Sequence, residues 1–316
     1  MNDICCIGHI TRDKIITPHH EAFISGGTSF YFSYAIARLP RKVSYQLVTK
    51  LGRFEVEEVK RMRAEGINVQ AFTCANSVYF ENRYESDQNK RTQRVLAKCE
   101  PFKISEMNGV EAKVFHLGSL LSDDFSADFI RQLATRGHIS IDVQGFLRDV
   151  RGQEVVAVDW KEKLDILAYT HILKLNEHEM EVITGLTDPR SVARQIASWG
   201  VKEVVITLGS HGSLIYADKT FYEIPAYPPR KLVDATGCGD TYSAGYLYCR
   251  AQGLGYAEAG FPPPCVRVNW RLLDHIRQIK NGLGRNLFFD RRICFLTEEY
   301  KEHKIKVRRC WTIYAR

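Results

Sequence analysis

The sequence predicts an α/β protein in which helices cover both faces of a mostly parallel sheet, with a smaller β-sheet set apart from it. Three observations carry that reading. Short β-branched and aromatic runs ("DICCIG", "KVSYQLVT", "VEAKVFHLG", "HISIDVQG", "HILKL", "EVVITLG") end in glycine or polar turns, as strands do. Helical patterns separate them at the spacing of strand–helix–strand crossovers, which makes neighbouring strands parallel. Two extended stretches, 14–25 and 69–98, break the alternation.

The elements follow in chain order. "DICCIG" opens the sheet, and Thr28 or Ser29 is placed to cap a helix through "FYFSYAIARL". "KVSYQLVT" is the next strand, and "EVEEVKRMRAEG" a helix that ends on Gly66. Helical segments around 124–136, 160–168, 176–184 and 189–199 alternate with the remaining strands. Open sheets of this kind bind ligands beyond the carboxyl ends of their strands. The stretches 14–25 and 69–98 alternate Val, Tyr and Phe with polar residues, which suits a small sheet with one solvated face.

Composition bounds the function. With 316 residues, 45% hydrophobic and 26% charged, the chain can bury a sizeable core. No apolar run approaches the roughly 18 residues of a membrane span. "MNDICCIGHI" lacks the basic start and long apolar stretch of a secretory leader, so a cytoplasmic protein without a membrane partner is expected. Nine cysteines, with no CxxC pair, point to reduced thiols rather than a disulfide framework or a zinc motif. The net charge is +7, yet residues 261–316 hold 13 of the 44 Lys/Arg and only 5 of the 37 Asp/Glu. That leaves 31 basic against 32 acidic residues in 1–260, so no nucleic-acid surface runs across the body.

The densest chemistry lies in "DATGCGDTYSAGYLY", residues 234–248. Asp240 falls where a glycine-rich turn meets a helical pattern, and helix N-termini favour negative charge. Gly237, Cys238 and Gly239 are small enough for their N–H groups to approach an anion. A phosphate held there would lie beside the Asp240 carboxylate, where a base can deprotonate a hydroxyl during in-line attack. Asp234 caps the turn or holds a cation. On spacing alone, a plain glycine turn with Asp240 as a helix cap is equally good.

"DATGCGD" resembles the D-T-x-G-A-G-D motif of the ribokinase-like, PfkB-type carbohydrate kinases, departing at Ala235 and Cys238. The resemblance implies a three-layer α/β/α ribokinase-like fold with a mostly parallel central sheet and a small β-sheet lid. It implies Asp240 as catalytic base, Gly237, Cys238 and Gly239 as the anion hole, and Asp234 as a structural or monovalent-cation-linked acid. Further matches fall in family order. "GHITRDKI" resembles the first strand and turn, making Asp13 a sugar ligand. "SGGTSFYFSYAIARL" resembles the paired-glycine motif, with Gly26 and Gly27 at the acceptor, and Tyr31 stands where ribokinases place an asparagine. "KLNEHEMEVITG" resembles N-x-x-E, which puts Asn176 and Glu179 near Mg²⁺ and the phosphates. By itself that element reads as an Asn cap with Glu in the first turn. "TLGSHGS" resembles the nucleotide loop, with Thr207, Gly209 and Gly212. "DVQGFLR" stands where sugar kinases carry D-P-N-x-R, which makes Asp142 a further candidate. With "RTQRVLA", it is similar to a sugar- and inositol-kinase-like branch.

The implied cofactors are ATP, Mg²⁺ and, in part of the family, a monovalent cation. The implied partner is a small sugar or polyol, and in several members the lid also forms a homodimer. The resemblance covers residues 3–260, and 261–316 form an atypical basic tail that begins "FPPPC". Three prolines cannot lie inside a helix. Read in an offset frame from Phe261, the degenerate codons permit a small-residue helix and a Lys-Leu-Glu…Gly-Pro ending like the family's, so out-of-frame translation is an expectation. A nucleoside kinase and a sugar-binding protein impaired by its tail are the alternatives. A dinucleotide-dependent dehydrogenase is disfavoured, because no GxGxxG follows the first strand.

Overall fold

The computed structural model describes residues 1–18, 20–84, 91–226 and 236–261. Strand β1 (Asn2–Ile7) is followed by the antiparallel pair β2 (Thr11–Thr17) and β3 (His20–Gly26), then helix α1 (Thr28–Ala37). A crossover comprising β4 (Tyr45–Leu51), α2 (Val56–Ala64) and β5 (Asn68–Thr73) leads to a second antiparallel pair, β6 (Tyr79–Tyr84) and β7 (Arg91–Ala97). The chain returns through β8 (Ala112–Gly118), α3 (Ala127–Ala134) and β9 (His138–Asp142), then makes the hairpin of β10 (Arg148–Arg151) and β11 (Glu154–Ala157). The remaining elements are α4 (Lys163–Leu167), β12 (Thr170–Asn176), α5 (Glu177–Thr184), α6 (Pro189–Ser198), β13 (Glu203–Thr207), β14 (Ser213–Ala217), β15 (Thr220–Ile224), α7 (Cys238–Ala251) and α8 (Tyr256–Gly260).

Among the described residues, nine strands make the central sheet in the order β15-β14-β13-β12-β9-β8-β1-β4-β5. It is parallel from β5 to β13, and its edge is the antiparallel ribbon β14–β15. A second sheet of six strands, β10-β11-β7-β6-β2-β3, stands apart as the lid. Helices lie on both faces of the large sheet, so the architecture is the expected three-layer α/β/α ribokinase-like fold with a small β-sheet lid.

The lid differs from expectation at both ends. Residues 68–73 do not join it: β5 pairs with β4 in the central sheet, in register from Gln46–Asn68 to Leu51–Thr73. Their alternation looks like that of the lid strands because both are half-buried, and it is α2 that makes this strand the end of a crossover. The lid gains β10 and β11 instead. Their charged, short strands turn at Gly152, whose φ of 67° is the left-handed region that glycine enters freely.

Period-two alternation divides the core. Cys5, Ile7, Phe115, Leu117, Ile139, Ile141, Leu173 and Leu175 pack in the cluster that also takes in residues of α3, α4, α5 and α6. Their neighbours Ile4, Cys6 and Ile172 join α1, α2, α7 and α8 on the other face. On that second face β8, β9 and β12 place His116, Ser140, Asp142 and Lys174, all buried. Buried groups of this kind persist only when hydrogen-bonded or paired. Of these, Asp142 and Lys174 lie beneath the first turn of α7.

Candidate active site

Helix α7 begins where its sequence allows. Gly237 is the N-cap with φ 77°, and Thr241 donates its N–H to the Gly237 carbonyl at 2.9 Å. A Cβ at Gly237 would stand 2.7 Å from the Tyr31 ring, so glycine is required by both backbone and space. At Gly239 the constraint is space alone, since a Cβ there would meet the Lys174 ammonium at 2.8 Å. The N–H groups of the first turn therefore lie beside a buried cation, which reinforces the helix end as an anion site.

Asp240 sits in that first turn. Burial, and then the Asp142 charge, push its carboxyl up to about 7, against the opposing pull of Lys174 and a hydrogen bond from Thr28. Lys174 and Asp142 are directly registered partners on β12 and β9, with Nζ 2.9 Å from Oδ2 and side chains only 8% and 1% exposed. Burial alone would lower the lysine, but the charges of Asp142, Glu179 and Asp240 hold it above the ordinary range. One cation thus serves three carboxylates, and Arg148 adds positive potential at Asp240 and Glu179. This is the arrangement of a poised base beside an anion site: a carboxyl near neutrality, with fixed positive charge adjacent.

Asn176, Thr207, Gly209 and Gly212 fall at the carboxyl ends of β12 and β13 or in the loop beyond. Asn176 caps α5: its Oδ1 accepts from the N–H of His178 at 2.9 Å and of Glu179 at 3.0 Å, and Glu179 Oε2 accepts from the Asn176 N–H at 2.8 Å. The N-x-x-E element is therefore a capping box. Burial raises the Glu179 carboxyl and Lys174 counteracts it. Thr207 ends β13 in register with Asn176. After it, Gly209 (φ 53°) and Gly212 (φ 94°) close a tight loop in which Leu208 donates to the Gly212 carbonyl at 2.8 Å.

On the acceptor side, Asp13 lies on β2, its Oδ1 accepting from Thr11 Oγ1 at 2.7 Å. A Cβ at Gly26 would stand 2.5 Å from Asp13 Oδ2, and one at Gly27 (φ 99°) 2.6 Å from the His9 carbonyl. Both glycines let the chain pass close to the strand that carries Asp13. Tyr31 is buried in α1, its ring against Gly237 and edge-on to Phe30 at 5.3 Å. It supports the glycine turn from beneath. Helix α1 starts at Thr28 with Gly27 as N-cap and no side-chain cap, so neither Thr28 nor Ser29 caps it. Ser29 Oγ donates instead to the His9 carbonyl at 2.9 Å, and Thr28 turns to Asp240. Asp234 and Ala235 lie outside the described residues, as does the tail from 262 onward.

Sequence reasoning missed Lys174, Thr28 and Arg148. Lys174 carried a signal: a lysine inside the apolar strand "HILKLN" is costly unless something pairs it. Arg148 carried one too, as the arginine that closes "DVQGFLR", whereas Thr28 reads only as a cap.

The pfkB family carbohydrate kinase pattern matches residues 1–261. The chain belongs to that family. It is accordingly a phosphotransferase. Among curated relatives, a cytidine kinase of Thermococcus kodakarensis is 26% identical over 294 residues, covering 90% of this chain and 98% of its own. Among solved structures, a pyrophosphate-dependent kinase of the ribokinase family complexed with a pyrophosphate analog and myo-inositol is 27% identical. It covers 81% of this chain and 90% of its own, with a TM-score of 0.74. Arabidopsis thaliana ribokinase complexed with ribose and ATP shares the fold at 17% identity and a TM-score of 0.66, covering 82% of this chain and 89% of its own.

Proposed function

We propose that this kinase transfers the γ-phosphoryl group of Mg-ATP to a hydroxyl of a small sugar or polyol, inositol included. The observation that supports this most is Asp240 in the first turn of α7, its carboxyl raised to about 7 beside the Lys174–Asp142 pair. A base with a pKa near the working pH takes a hydroxyl proton most effectively. In the proposed step Asp240 receives the proton of the acceptor hydroxyl as its oxygen attacks the γ-phosphorus. The bond to the bridging oxygen breaks and ADP leaves. Charge developing on the transferred group meets the N–H groups of Gly237, Cys238 and Gly239, held in place by the glycine turn. Asp13 orients the acceptor, with Gly26 and Gly27 giving it close backbone approach. Asn176, Thr207, Gly209 and Gly212 line the donor side. Mg²⁺, a hard cation suited to carboxylate oxygen, would be held near Glu179 and would neutralise donor phosphate charge.

A second reading changes the donor or the acceptor. The 27% identity to pyrophosphate-dependent structures favours pyrophosphate as donor, and the Thermococcus relative favours a nucleoside as acceptor. One experiment covers all of them: phosphorylation of pentoses, hexoses, inositols and nucleosides, with Mg-ATP and Mg-pyrophosphate in parallel, beside Asp240→Asn. A product formed by wild type and lost in the variant supports the base role. No product with any pair sinks the reading, unless replacing residues 261 onward with the offset-frame sequence restores activity and locates the fault in the tail. We also propose a homodimer through the lid. Phe23 and Phe54 are 51% and 68% exposed, and both rings lie near the Arg12 guanidinium, at 5.1 Å and 4.9 Å. A monomer by light scattering would refute the dimer.

A further inference from the structure

The second excursion into the lid leaves the body through residues 74–78 and returns through 98–102. Cys74 follows β5 directly, with its N–H donating to the Leu51 carbonyl of β4 at 2.9 Å. Cys99 and Glu100 follow β7, just before Phe102 donates its N–H to the Asp124 carbonyl at 2.9 Å. Although 25 residues apart in sequence, the two cysteines meet where these segments run together. The Cys74 and Cys99 sulfurs and a Glu100 carboxylate oxygen all lie within 4.8 Å of one another. Both thiols are partly accessible, whereas Cys5, Cys6 and Cys249 are buried.

We propose that Cys74, Cys99 and Glu100 bind a zinc-type divalent cation, which pins the outgoing and returning segments of the lid to each other. Two sulfurs and a carboxylate oxygen are a borderline-soft donor set of the kind Zn²⁺ takes, at about 2.3 Å from sulfur and about 2.0–2.2 Å from oxygen. A triangle of this size closes on such an ion by side-chain movement, with water as the fourth ligand. The two thiols give up their protons to solvent as the ion binds. Lys50 stands nearby, its Nζ 2.9 Å from the Pro101 carbonyl and 2.9 Å from a Glu106 carboxylate oxygen. The site is independent of the phosphoryl-transfer reading, because neither Asp240 nor the α7 turn takes part.

The test is Co²⁺ titration of the full-length, fully reduced protein, followed by absorbance. Thiolate-to-cobalt charge-transfer bands with tetrahedral ligand-field bands are expected at one equivalent, with Zn²⁺ displacing the cobalt. Oxygen-liganded Co²⁺ at a Mg²⁺ site gives no thiolate band, so the two sites are distinguished. Cys74→Ser and Cys99→Ser should each abolish the charge transfer with unchanged circular dichroism. Glu100→Gln should weaken binding by at least the roughly 10–100-fold that a lost outer-shell partner costs. Absence of thiolate bands in the reduced protein, or bands that survive in the double serine variant, would overturn the proposal.

Discussion

The two faces of the central sheet are built from the same strands and do opposite things. On β12, Leu173 and Leu175 point into the apolar face shared with α5 and α6, while Lys174 between them points toward α7. On β9, Ile139 and Ile141 join the same apolar face, while Ser140 accompanies His116, its Oγ 3.0 Å from Nδ1, and Asp142 pairs with Lys174. Burial on this face lowers the His116 imidazole to about 4, keeping it neutral, so fixed charge is concentrated at the strand ends nearest Asp240. A strand of alternating partners can thus carry packing on one side and a charged site on the other. Neither set needs its own element.

The contrast predicts that substitutions one residue apart fail in different ways. The largest effect is expected at Asp240→Asn, with turnover down by roughly two to four orders of magnitude, the reach of a general base; steady-state kinetics with the identified acceptor checks it. Gly239→Val brings a side chain against the Lys174 ammonium and crowds the anion hole, whose single donors are worth about 10²–10³ in rate. Its kcat should fall while the fold persists by circular dichroism. Lys174→Met strips the counter-charge from Asp142, Glu179 and Asp240 and should cost about 3–5 kcal/mol in urea unfolding together with most activity. Leu175→Ala, one step along β12, should cost about 2–5 kcal/mol through its cavity, yet leave kcat nearly unchanged in the folded fraction. Equal losses of kcat at positions 174 and 175 would erase the distinction between the faces.

The smallest effect is in the pH dependence. kcat/KM should rise with pH to a plateau above about 7, as the Asp240 carboxyl ionises. Stability should move the other way. Between the ordinary 3.8 and about 7 the native state holds a proton at Asp240 that the unfolded chain has lost, so stability falls as pH rises through that window. Asp240→Asn should remove this contribution. Its Tm relative to wild type should be higher at pH 8 than at pH 4, and an equal difference at both would rule out the raised carboxyl.

Much of this was legible in the sequence because its signals were local. The glycine turn before α7, the Asn–Glu pair opening α5 and the glycines around residue 210 each declare a backbone conformation that few other residues adopt. The strand–helix alternation likewise placed the parallel strands. What escaped depended on partners distant in sequence. Lys174 finds Asp142 across 32 residues, and Thr28 finds Asp240 across more than two hundred. The β10–β11 hairpin joins the lid because Glu154 stands opposite Arg94 on β7, a pairing no window along the chain contains. β5 was misplaced for the converse reason: its own alternation does not say which sheet will receive it.

The lid is stitched from three excursions, 11–26, 79–97 and 148–157, separated by strands and helices of the body. During synthesis its last two strands emerge only after half the chain has been made, and they must then find an edge formed much earlier. Long sequence separation makes such pairings slow, since the intervening loop must be closed before any contact rewards it. The central sheet can grow strand by strand from its amino-terminal half, but the lid is finished only when β11 docks. Until then the edge of β7 is unpaired, and an open strand edge is where nascent chains associate wrongly.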